Sequence, residues 1–440
     1  MKIGFSVADI TPELGIYLTG YGHPERLANN IHLPLEATVM VLEEAGRTAA
    51  VIGMDWCFVD KIITDEIRKA IHAATQIEEK HIILCCSHTH SAPHTTHRRT
   101  LGRVSVDPES KGVKYALAQA PVIARAVKSA QSNLRECKAG FARTKTETGV
   151  SRRGTDEYGN VCDFIEDPDL MYDSNMTVAY FRDAETDEDL GILVHASAHN
   201  TATGITKDIT SDWCGVMKKR LRDKYSVPVI FVNGGFGDVG PRTNRWFKGS
   251  TRSGFCAGAG GGIISAEEVG LRAASDALRA LEDIRDFRSD LPLGIHVGEL
   301  RLPQELPLSE AQAKACEFGE DDTRYHIYKR VAEAWKLPPE PELVEEQTLI
   351  SFGPMALVPF PFEVFSIFSL RLRKYGPFEY TLAVGNTNGS YGYLPDRGAF
   401  AMGGYEPYCL AALRTYVIKP EAGDLAVVQS LAAVRKMKQS

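Results

Sequence analysis

Apolar runs rich in β-branched residues alternate with helical patterns along most of the chain. Short runs of this kind predict buried strands; they occur at Thr38–Leu42, Ala49–Gly53, His81–Cys86, Ala139–Thr144, Met176–Phe181, Leu190–His195, Val227–Val232, Gln347–Phe352, Met355–Pro359 and Thr381–Gly385. Apolar residues at three-to-four spacing predict helices at Thr64–Thr75, Gly112–Ser132 (which Pro121 would kink or divide), Cys214–Lys224, Ala266–Leu281 and Leu425–Met437. This alternation predicts an α/β fold.

The length allows two or three domains or one large multilayer domain, because the chain has 440 residues and a domain usually holds about 100–200. Hydrophobic residues make up 44% and charged residues 24%, which excludes a disordered or fibrous chain. The net charge of −7 argues against nucleic acid as a partner bound through overall charge. No apolar run reaches the roughly 18 residues of a membrane span.

Two further patterns concern domain organisation and location. A charged helical pattern at Glu310–Lys336 lies between proline-rich turns, and it predicts a helical insertion at about residues 305–340 of a single domain that spans 1–440. Near the N-terminus, acidic and turn residues arrive too early for the apolar core of a signal peptide. The nine cysteines include no CxxC pair, so we expect a cytoplasmic protein with reduced thiols.

Histidines concentrate in the loop after the strand pattern that ends at Cys86: His88, His90, His94 and His97. Such loops are where α/β proteins place ligand-binding and catalytic groups, and neutral imidazole is a common zinc ligand. A second pair, His195 and His199, follows another strand pattern. Histidines that only form hydrogen bonds in polar loops remain the alternative for both clusters, and strand packing explains His195 better than ligation does.

Three more loops with polar groups follow predicted strands. The glycine-rich segment Asn233–Arg242 exposes backbone amides but lacks a phosphate-loop pattern. Glu363 follows the apolar segment Pro359–Phe362, and two tyrosines lie in Asn388–Tyr393. Together the loops supply two histidine clusters, a carboxylate and tyrosines, which suits a zinc ion bound by nitrogen and oxygen ligands.

These motifs resemble the catalytic domain of the neutral/alkaline non-lysosomal ceramidases, which are zinc-dependent amidases. Ser87–Pro93 is similar to the family's HTHSGP motif, and Leu190–Leu193 leads to His199 at the family's distance. The other matches, in chain order, are Ser151-Arg152 to an Asn-Arg segment, Gly237–Pro241 to Gly-Asp-Val-Ser-Pro, Pro361–Val364 to PGEF, Asn388–Tyr393 to Asn-x4-Tyr, and Tyr405-Glu406 to a Tyr-Glu pair. The resemblance runs from Gly4 to about Leu413 and covers most of the chain.

The resemblance implies a multilayer fold of mixed β-sheets flanked by helices. It implies a zinc ion (Zn²⁺) held by four ligands: His88, His199, Glu363 and Tyr393. Three catalytic roles are implied beside the ion. His90 is the acid–base group, and we expect it to titrate near neutrality. Tyr405 donates to the developing oxyanion, and Arg152 binds or polarises the substrate. Substrate-binding residues complete the implied site: Arg153, Asp238, Gly240 and Arg242.

Structural roles are the alternatives for several of these residues. A structural ion pair explains Arg152 equally well, and a turn-forming side chain is a better explanation of Asp238 than catalysis. Asp212 is best explained as a helix cap, with a bond to His199 as the alternative.

Three departures from the family limit the implied activity. Gly240 occupies the position of the family's serine, and glycine has no side chain that can form an acyl-enzyme. The family's C-terminal immunoglobulin-like domain has no room after Leu413, and no export signal is seen. We therefore expect a hydrolase whose substrate is not necessarily ceramide.

Arginines crowd the predicted site loops, although the net charge is negative: Arg98, Arg99, Arg152, Arg153, Arg242 and Arg245. A guanidinium group suits carboxylate, phosphate or sulfate. We therefore expect metal-activated water to cleave an amide-like bond of a small polar or anionic substrate. Zinc-dependent hydrolysis of an ester, lactone or glycosidic bond stays open, as do a non-catalytic ligand-binding protein and a homo-oligomer.

Overall fold

An eight-stranded mixed sheet occupies the first half of the chain. The computed structural model describes residues 1–21, 26–95, 111–161, 164–243, 262–306, 329, 331–414 and 416–439. The strands of this first sheet are β1 (Lys2–Asp9), β3 (Glu36–Glu44), β4 (Arg47–Met54), β5 (Ile82–Cys86), β6 (Arg135–Lys145), β8 (Asn175–Asp183), β9 (Asp189–Ala196) and β11 (Val229–Asn233). Their spatial order is β11-β9-β8-β6-β1-β3-β4-β5.

The first sheet has two halves, because β1 and β6 share only two residue pairs at the ends of the strands. Each half contains one parallel pair, β4 with β5 and β9 with β11. Parallel neighbours need a crossover connection, and here helices α1 (Lys61–Thr75) and α4 (Asp212–Tyr225) supply it. The loops after β5 and β9 meet, since Thr89 forms a parallel bridge with Asn200.

A five-stranded sheet is built from the second half of the chain. Its strands are β13 (Leu293–Glu305), β14 (Glu342–Phe352), β15 (Met355–Pro359), β17 (Tyr380–Val384) and β19 (Val417–Ile418), in the order β17-β15-β14-β13-β19. Three two-stranded pairs complete the described strands: β2 (Asn30–Ile31) with β10 (Asp208–Ile209), β7 (Gly149–Ser151) with β12 (Val239–Pro241), and β16 (Glu363–Val364) with β18 (Tyr393–Leu394).

The two sheets pack face to face between two layers of helices. The core between them joins Phe5 and Phe181 of the first sheet to Ile350, Phe352 and Leu382 of the second. The other described helices are α2 (Lys111–Ala118), α3 (Ala120–Ser132), α5 (Ile263–Glu282), α6 (Ser366–Tyr375), α7 (Arg397–Met402), α8 (Tyr405–Leu413) and α9 (Ala422–Gln439). Helices α1 to α5 cover the first sheet, and α6, α8 and α9 share apolar clusters with the second. Each buried aliphatic or aromatic side chain in these layers stabilises the fold by about 1.5–3 kcal/mol.

The predicted α/β class, with mixed sheets flanked by helices, is confirmed. Pro121 divides the predicted long helix, since α2 ends at Ala118 and α3 begins at Ala120. The sequence patterns missed β1 and β13, in which buried residues are mixed with partly buried and exposed ones. The apolar residues of such strands do not form the continuous runs from which the other strands were predicted.

Most of the predicted insertion at residues 305–340 lies outside the described residues. Strands β13 and β14 are antiparallel neighbours with Pro303 opposite Glu342, so the segment between them leaves and rejoins the same end of the second sheet. None of the helices in the described part of the chain combines the length and apolar character needed to cross a membrane.

Candidate metal centre and active site

His88 lies just beyond the end of β5, with its side chain fixed at one ring nitrogen. Its Nδ1 is 2.8 Å from the carbonyl oxygen of Cys57. A carbonyl oxygen only accepts, so this contact favours a proton on Nδ1 and a lone pair on Nε2; the Asn386 side-chain amide also lies 2.8 Å from Nδ1. The backbone of His88 has a φ of 70°, a conformation that non-glycine residues rarely adopt and that is concentrated at functional sites.

His199 follows β9 and is oriented in the same way. Its Nδ1 lies 2.9 Å from two carbonyl oxygens, those of Phe236 and Val239. The indole of Trp213 donates to the carbonyl oxygen of His199 at 2.9 Å, which fixes the backbone. Such hydrogen bonds to the far nitrogen set the tautomer that metal-binding histidines need.

Glu363 and Tyr393 come from β16 and β18, where they stand opposite each other in a parallel pair. Glu363 Oε2 lies 3.1 Å from His199 Nε2 and 3.4 Å from His88 Nε2. The Tyr393 hydroxyl accepts a hydrogen bond from Arg152 Nη2 at 3.1 Å. The second half of the chain therefore brings a carboxylate and a phenol to the histidines of the first half.

The donor set fits a zinc ion. One ligand atom from each of His88, His199 and Glu363 lies within 4.8 Å of the others. A tetrahedral ion with ligand distances of about 2.0–2.1 Å separates its ligand atoms by about 3.3 Å, close to the distances found here. Burial lowers the pKa of both histidines, which favours the neutral, metal-binding form. Two imidazoles, a carboxylate and a phenol match zinc's preference for nitrogen and oxygen ligands.

His90 is adjacent to this cluster, with Nε2 3.1 Å from His88 Nε2. Its ring packs edge-on against Tyr21 at 4.8 Å between centroids, and Nδ1 has no hydrogen-bond partner among the described residues. The sequence argument expects His90 to titrate near neutrality, and this is wrong. Burial lowers its pKa well below the ordinary value, assisted by the charges of neighbouring groups, so the imidazole is neutral at pH 7.

Arg152 and Arg153 share one buried carboxylate. Arg152 Nε donates to Glu406 Oε1 at 3.0 Å, and Arg153 Nη1 donates to Glu406 Oε2. Arg153 also donates to the carbonyl oxygen of Gly403 at 2.7 Å. Arg152 thus forms the ion pair that a structural role predicts, and it also contacts Tyr393 of the proposed site. Both terminal nitrogens of Arg153 are bonded to Glu406 and Gly403.

Tyr405 opens α8 and lies near the same group. Its ring centroid is 6.0 Å from that of Tyr393 and 4.7 Å from that of Phe164. Burial raises the pKa of the Tyr405 phenol well above its ordinary value, so the hydroxyl keeps the proton that a hydrogen-bond donor requires.

The residues of the glycine-rich segment Asn233–Arg242 differ in whether they lie beside the site or contact the scaffold. Gly240 lies in β12, and a Cβ placed on it would be 3.6 Å from Arg152 Cβ. Asp238 accepts hydrogen bonds from the backbone N–H and hydroxyl of Ser366 at 2.7 and 2.8 Å, where α6 begins; burial raises its pKa to about 6. Arg242 lies 3.5 Å from Glu147 in a groove lined also by Lys145 and Arg272. The structure therefore places Gly240 beside Arg152. The backbone carbonyl of Asp238 accepts from the Arg152 amide at 3.0 Å, while the side-chain contacts named above for Asp238 and Arg242 are with the scaffold.

Other residues considered from the sequence have structural contacts or lie outside the described ranges. His195 Nε2 donates to the carbonyl oxygen of Ala383, at 2.8 Å, and links the two sheets. Asp212 accepts from the backbone amides of Ala202, Thr203 and Trp213, so it supports the loop after His199 without bonding to that imidazole. His97, Arg98, Arg99 and Arg245 lie outside the described residues.

Sequence reasoning missed several residues that hold the histidine loops together. Asn233 Nδ2 donates to the carbonyl oxygens of Ser87 and Ala198 at 3.0 and 2.9 Å, which ties the two loops to each other. Asn200 donates to the same Ser87 carbonyl. The available signal was that Asn233 directly follows a predicted strand and that Asn200 directly follows His199. Tyr21 and Arg26 contact each other beside His90, and no strand-end pattern marks them.

The comparisons with known proteins concern the family and the fold of this chain. The profile of the family "Neutral/alkaline non-lysosomal ceramidase, N-terminal" matches residues 1–248, a range that includes His88 and His199 and ends before Glu363. No curated protein matches the chain in sequence. The crystal structure of neutral ceramidase from Pseudomonas aeruginosa is similar with a TM-score of 0.74 and 17% identity, covering 100% of this chain and 74% of that one. A structure titled "Ceramidase complexed with C2" gives 0.74, 16%, 100% and 75%. At these identities the structural similarity establishes the fold, and the ceramidase-like architecture expected from the motifs is confirmed.

Proposed function

The chain belongs to the neutral/alkaline non-lysosomal ceramidase family, and on this premise we propose that it is a zinc-dependent hydrolase of an amide-like bond in a small polar or anionic substrate. The observation that carries the proposal is the convergence of His88 Nε2, His199 Nε2 and Glu363 Oε2 from three distant segments. The loops after β5 and β9 are already joined by the Thr89–Asn200 bridge and by the Asn233 side chain, so holding these loops together does not itself call for the three groups to meet.

The metal ligands in this proposal are His88, His199, Glu363 and Tyr393. A bound zinc ion supplies a Lewis acid and lowers the pKa of a coordinated water to about 7. The chain's own contribution is to present neutral imidazoles, each fixed at Nδ1 by a backbone carbonyl, in a buried site where electrostatic interactions are strong.

The remaining site residues bind the substrate and handle protons. His90, neutral at pH 7, is the proton acceptor beside the ligands, and Arg152 orients the carbonyl that reacts. Tyr405 keeps its phenolic proton and donates it as a hydrogen bond to the oxygen that gains charge. Arg153 supports Arg152 through their common partner, Glu406.

Gly240 determines which nucleophile is used. Glycine offers no hydroxyl, so no acyl-enzyme forms at this position and water attacks the carbonyl carbon itself. The C–N bond then breaks, the amine leaves with the proton held by the site, and the acid is released. A mechanism of this kind needs positioned donors and a base, but no protein nucleophile.

The test is the zinc content of the purified protein together with its turnover. We expect close to one zinc per chain and hydrolysis of simple N-acyl substrates. His88→Ala and Glu363→Gln should lose both zinc and turnover while the circular dichroism spectrum stays unchanged. His81→Ala is the matched control, because His81 precedes β5 and binds a backbone carbonyl at 3.2 Å. Full turnover in His88→Ala, or a wild-type protein that takes up no zinc on titration, would overturn the proposal.

A further inference from the structure

Arg26 is a buried cation without an ionic partner in the described part of the chain. Its side chain is 1% exposed. Nε donates to the carbonyl oxygen of Thr206 at 2.9 Å, and Nη1 donates to that of Thr19. Nη2 is buried and forms no hydrogen bond with any described residue. A buried charge without a partner costs several kcal/mol, so this arrangement calls for an explanation.

The groups around Arg26 do not neutralise it. Among the described residues, the ionisable groups whose charge acts on it are the Tyr21 phenol and the Cys57 thiol. A phenol and a thiol keep their protons at pH 7 at their ordinary pKa values, and neither is a carboxylate. Asp212, whose charge acts on Tyr21, accepts hydrogen bonds from Thr203 and from a nearby backbone amide. The guanidinium itself stays protonated, because its ordinary pKa is above 12.

Arg26 lies beside the metal-ligand loop. Its guanidinium carbon is 4.9 Å from the centroid of the Tyr21 ring, and that ring packs on His90. Cys57, which interacts with Arg26, has its sulfur 3.5 Å from His88 Nδ1. The positive charges of Arg26 and Arg152 both act on His90. Arg26 therefore stands on the His88–His90 side of the centre, and Arg152 stands on the Tyr393 side.

The contrast with the other two arginines of the site is direct. Arg152 and Arg153 are both paired with Glu406, and Arg26 has no carboxylate within 4.0 Å among the described residues. From this difference we infer that Arg26 binds an anionic group of the substrate, and that the substrate is an amide carrying a carboxylate. One free nitrogen suits a carboxylate, whose single charge is shared by two oxygens, better than a phosphate, which needs several donors.

This inference rests on the proposed function for its site, but its test does not depend on turnover. Binding of three probes to metal-free protein is measured by calorimetry: N-acetylglycine, its neutral counterpart N-acetylglycinamide, and N-acetyl-O-phosphoethanolamine. We expect N-acetylglycine to bind most tightly. Arg26→Met should weaken that binding by about 30-fold or more, which is the usual effect of removing one partner of a buried charge pair, and should leave the affinity for the neutral probe within a few-fold.

Arg143→Met is the matched control. Arg143 lies over the ring of Tyr380 at 5.0 Å and donates to a backbone carbonyl of Glu379, so it shares the stacking of Arg26 without its burial. This variant should bind the probes as the wild type does. Arg26→Lys, which retains the charge, should recover part of the preference.

Each outcome bears on the inference. Equal binding of N-acetylglycine and N-acetylglycinamide by the wild type overturns it, whether or not Arg26→Met folds. Unchanged binding in a folded Arg26→Met also overturns it, and a preference for the phosphate probe overturns the assignment of a carboxylate. If the protein binds zinc and cleaves only neutral amides, the proposed function stands and this inference is overturned. If carboxylate binding depends on Arg26 but the protein takes up no zinc, this inference stands and the proposed function is overturned.

Discussion

At the scale of single residues, the site depends on small groups that allow larger ones to approach. Gly20 has a φ of 80°, and a Cβ placed on it would lie 2.3 Å from His90 Nδ1. Gly15 has almost the same φ, 81°, and a Cβ there would meet nothing within 4 Å. Comparing alanine substitutions at the two glycines therefore distinguishes the effect of backbone conformation on activity from the effect of displacing His90.

Gly20→Ala is expected to reduce kcat/KM by about 10- to 100-fold, because a displacement of about 1 Å in a catalytic group costs up to that much. Gly15→Ala should leave kcat/KM near the wild-type value. Both substitutions place a non-glycine residue at positive φ, which lowers the free energy of unfolding by about 1–2 kcal/mol. Steady-state kinetics and urea denaturation of both variants provide the check. Equal losses of kcat/KM in Gly20→Ala and Gly15→Ala would show that Gly20 is not needed to position His90.

Gly240 and Gly237 form a second pair within the glycine-rich segment Asn233–Arg242. A Cβ on Gly240 would make an ordinary contact with Arg152 at 3.6 Å, whereas one on Gly237 would lie 2.4 Å from the carbonyl oxygen of Glu363. Gly240→Ser should change the free energy of unfolding by less than about 1 kcal/mol and keep zinc. Gly237→Ser should cost about 1–3 kcal/mol through overpacking and lose zinc, since it displaces a ligand-bearing strand. Urea denaturation and metal analysis distinguish them, and the reverse order of effects would contradict the geometry.

At the residue level, the sequence points to candidates where side-chain chemistry and chain position coincide. His88, His199, Glu363 and Tyr393 each follow or occupy a strand end, and the resemblance to the family grouped them as one set before any contact was visible. Glu406 as the common partner of two arginines, and Arg26 beside His90, depend on contacts between residues more than 60 positions apart. Burial also altered chemistry that composition suggests, because it lowers the pKa of His90 below the neutral range.

At the scale of elements, a buried ion pair attaches α6 to the segment before β8. Asp173 accepts from both terminal nitrogens of Arg373 at 2.6 Å, and from Ser369 Oγ at 2.7 Å. Burial alone would raise the pKa of Asp173, but the hydrogen bonds and charge of Arg373 outweigh it and lower the pKa to about 2. Helix α6 begins at Ser366, three residues after Glu363, so this attachment supports the position of a proposed ligand.

Asp173→Asn should lower the free energy of unfolding at pH 7 by about 3–5 kcal/mol, because it leaves Arg373 buried and unpaired. The matched control is Asp424→Asn, whose carboxylate also holds two arginines but is 35% exposed, and it should cost less than about 1 kcal/mol.

The pH dependence of the Asp173 pair follows from the direction of the shift. The pKa in the folded state is depressed, so the stabilisation is fully present above the unfolded value of about 4 and is lost as the pH falls towards 2. The difference between wild type and Asp173→Asn should therefore narrow over this interval. Urea denaturation at pH 7 and pH 3 measures it; a gap that is constant with pH would show that the ion pair is not its source.

The elements themselves were predicted unevenly. Strands buried on both faces, such as β5 and β11, appear as continuous apolar runs and were found from sequence. β13 carries partly buried residues over much of its length, and α6 and α8 lie directly after site motifs that were interpreted only as loops. Tertiary packing determines these elements, and local periodicity does not reveal it.

At the scale of the whole molecule, the proposed centre joins parts of the chain that pack against each other through a shared core. The histidine ligands follow strands of the first sheet, Glu363 follows β15 of the second, and Tyr393 is paired with it. An ion held by all of them bridges both halves. Any ligand that binds only the folded state stabilises it, by about 2.7 kcal/mol at a concentration 100 times the dissociation constant.

Removal of the metal with a chelator should therefore lower the unfolding temperature of the entire molecule in a single transition, and added zinc should restore it. In Glu363→Gln the zinc-dependent shift should disappear, since the bridge from the second half is weakened. Glu346→Gln is the control, because Glu346 lies on β14 and pairs with Arg68 at 2.8 Å, and its shift should match that of the wild type. Calorimetric scans with and without zinc provide the measurement. If chelation moved only part of the transition, the ion would be bound by one half alone; if Glu363→Gln kept the full shift, that carboxylate would not hold the metal.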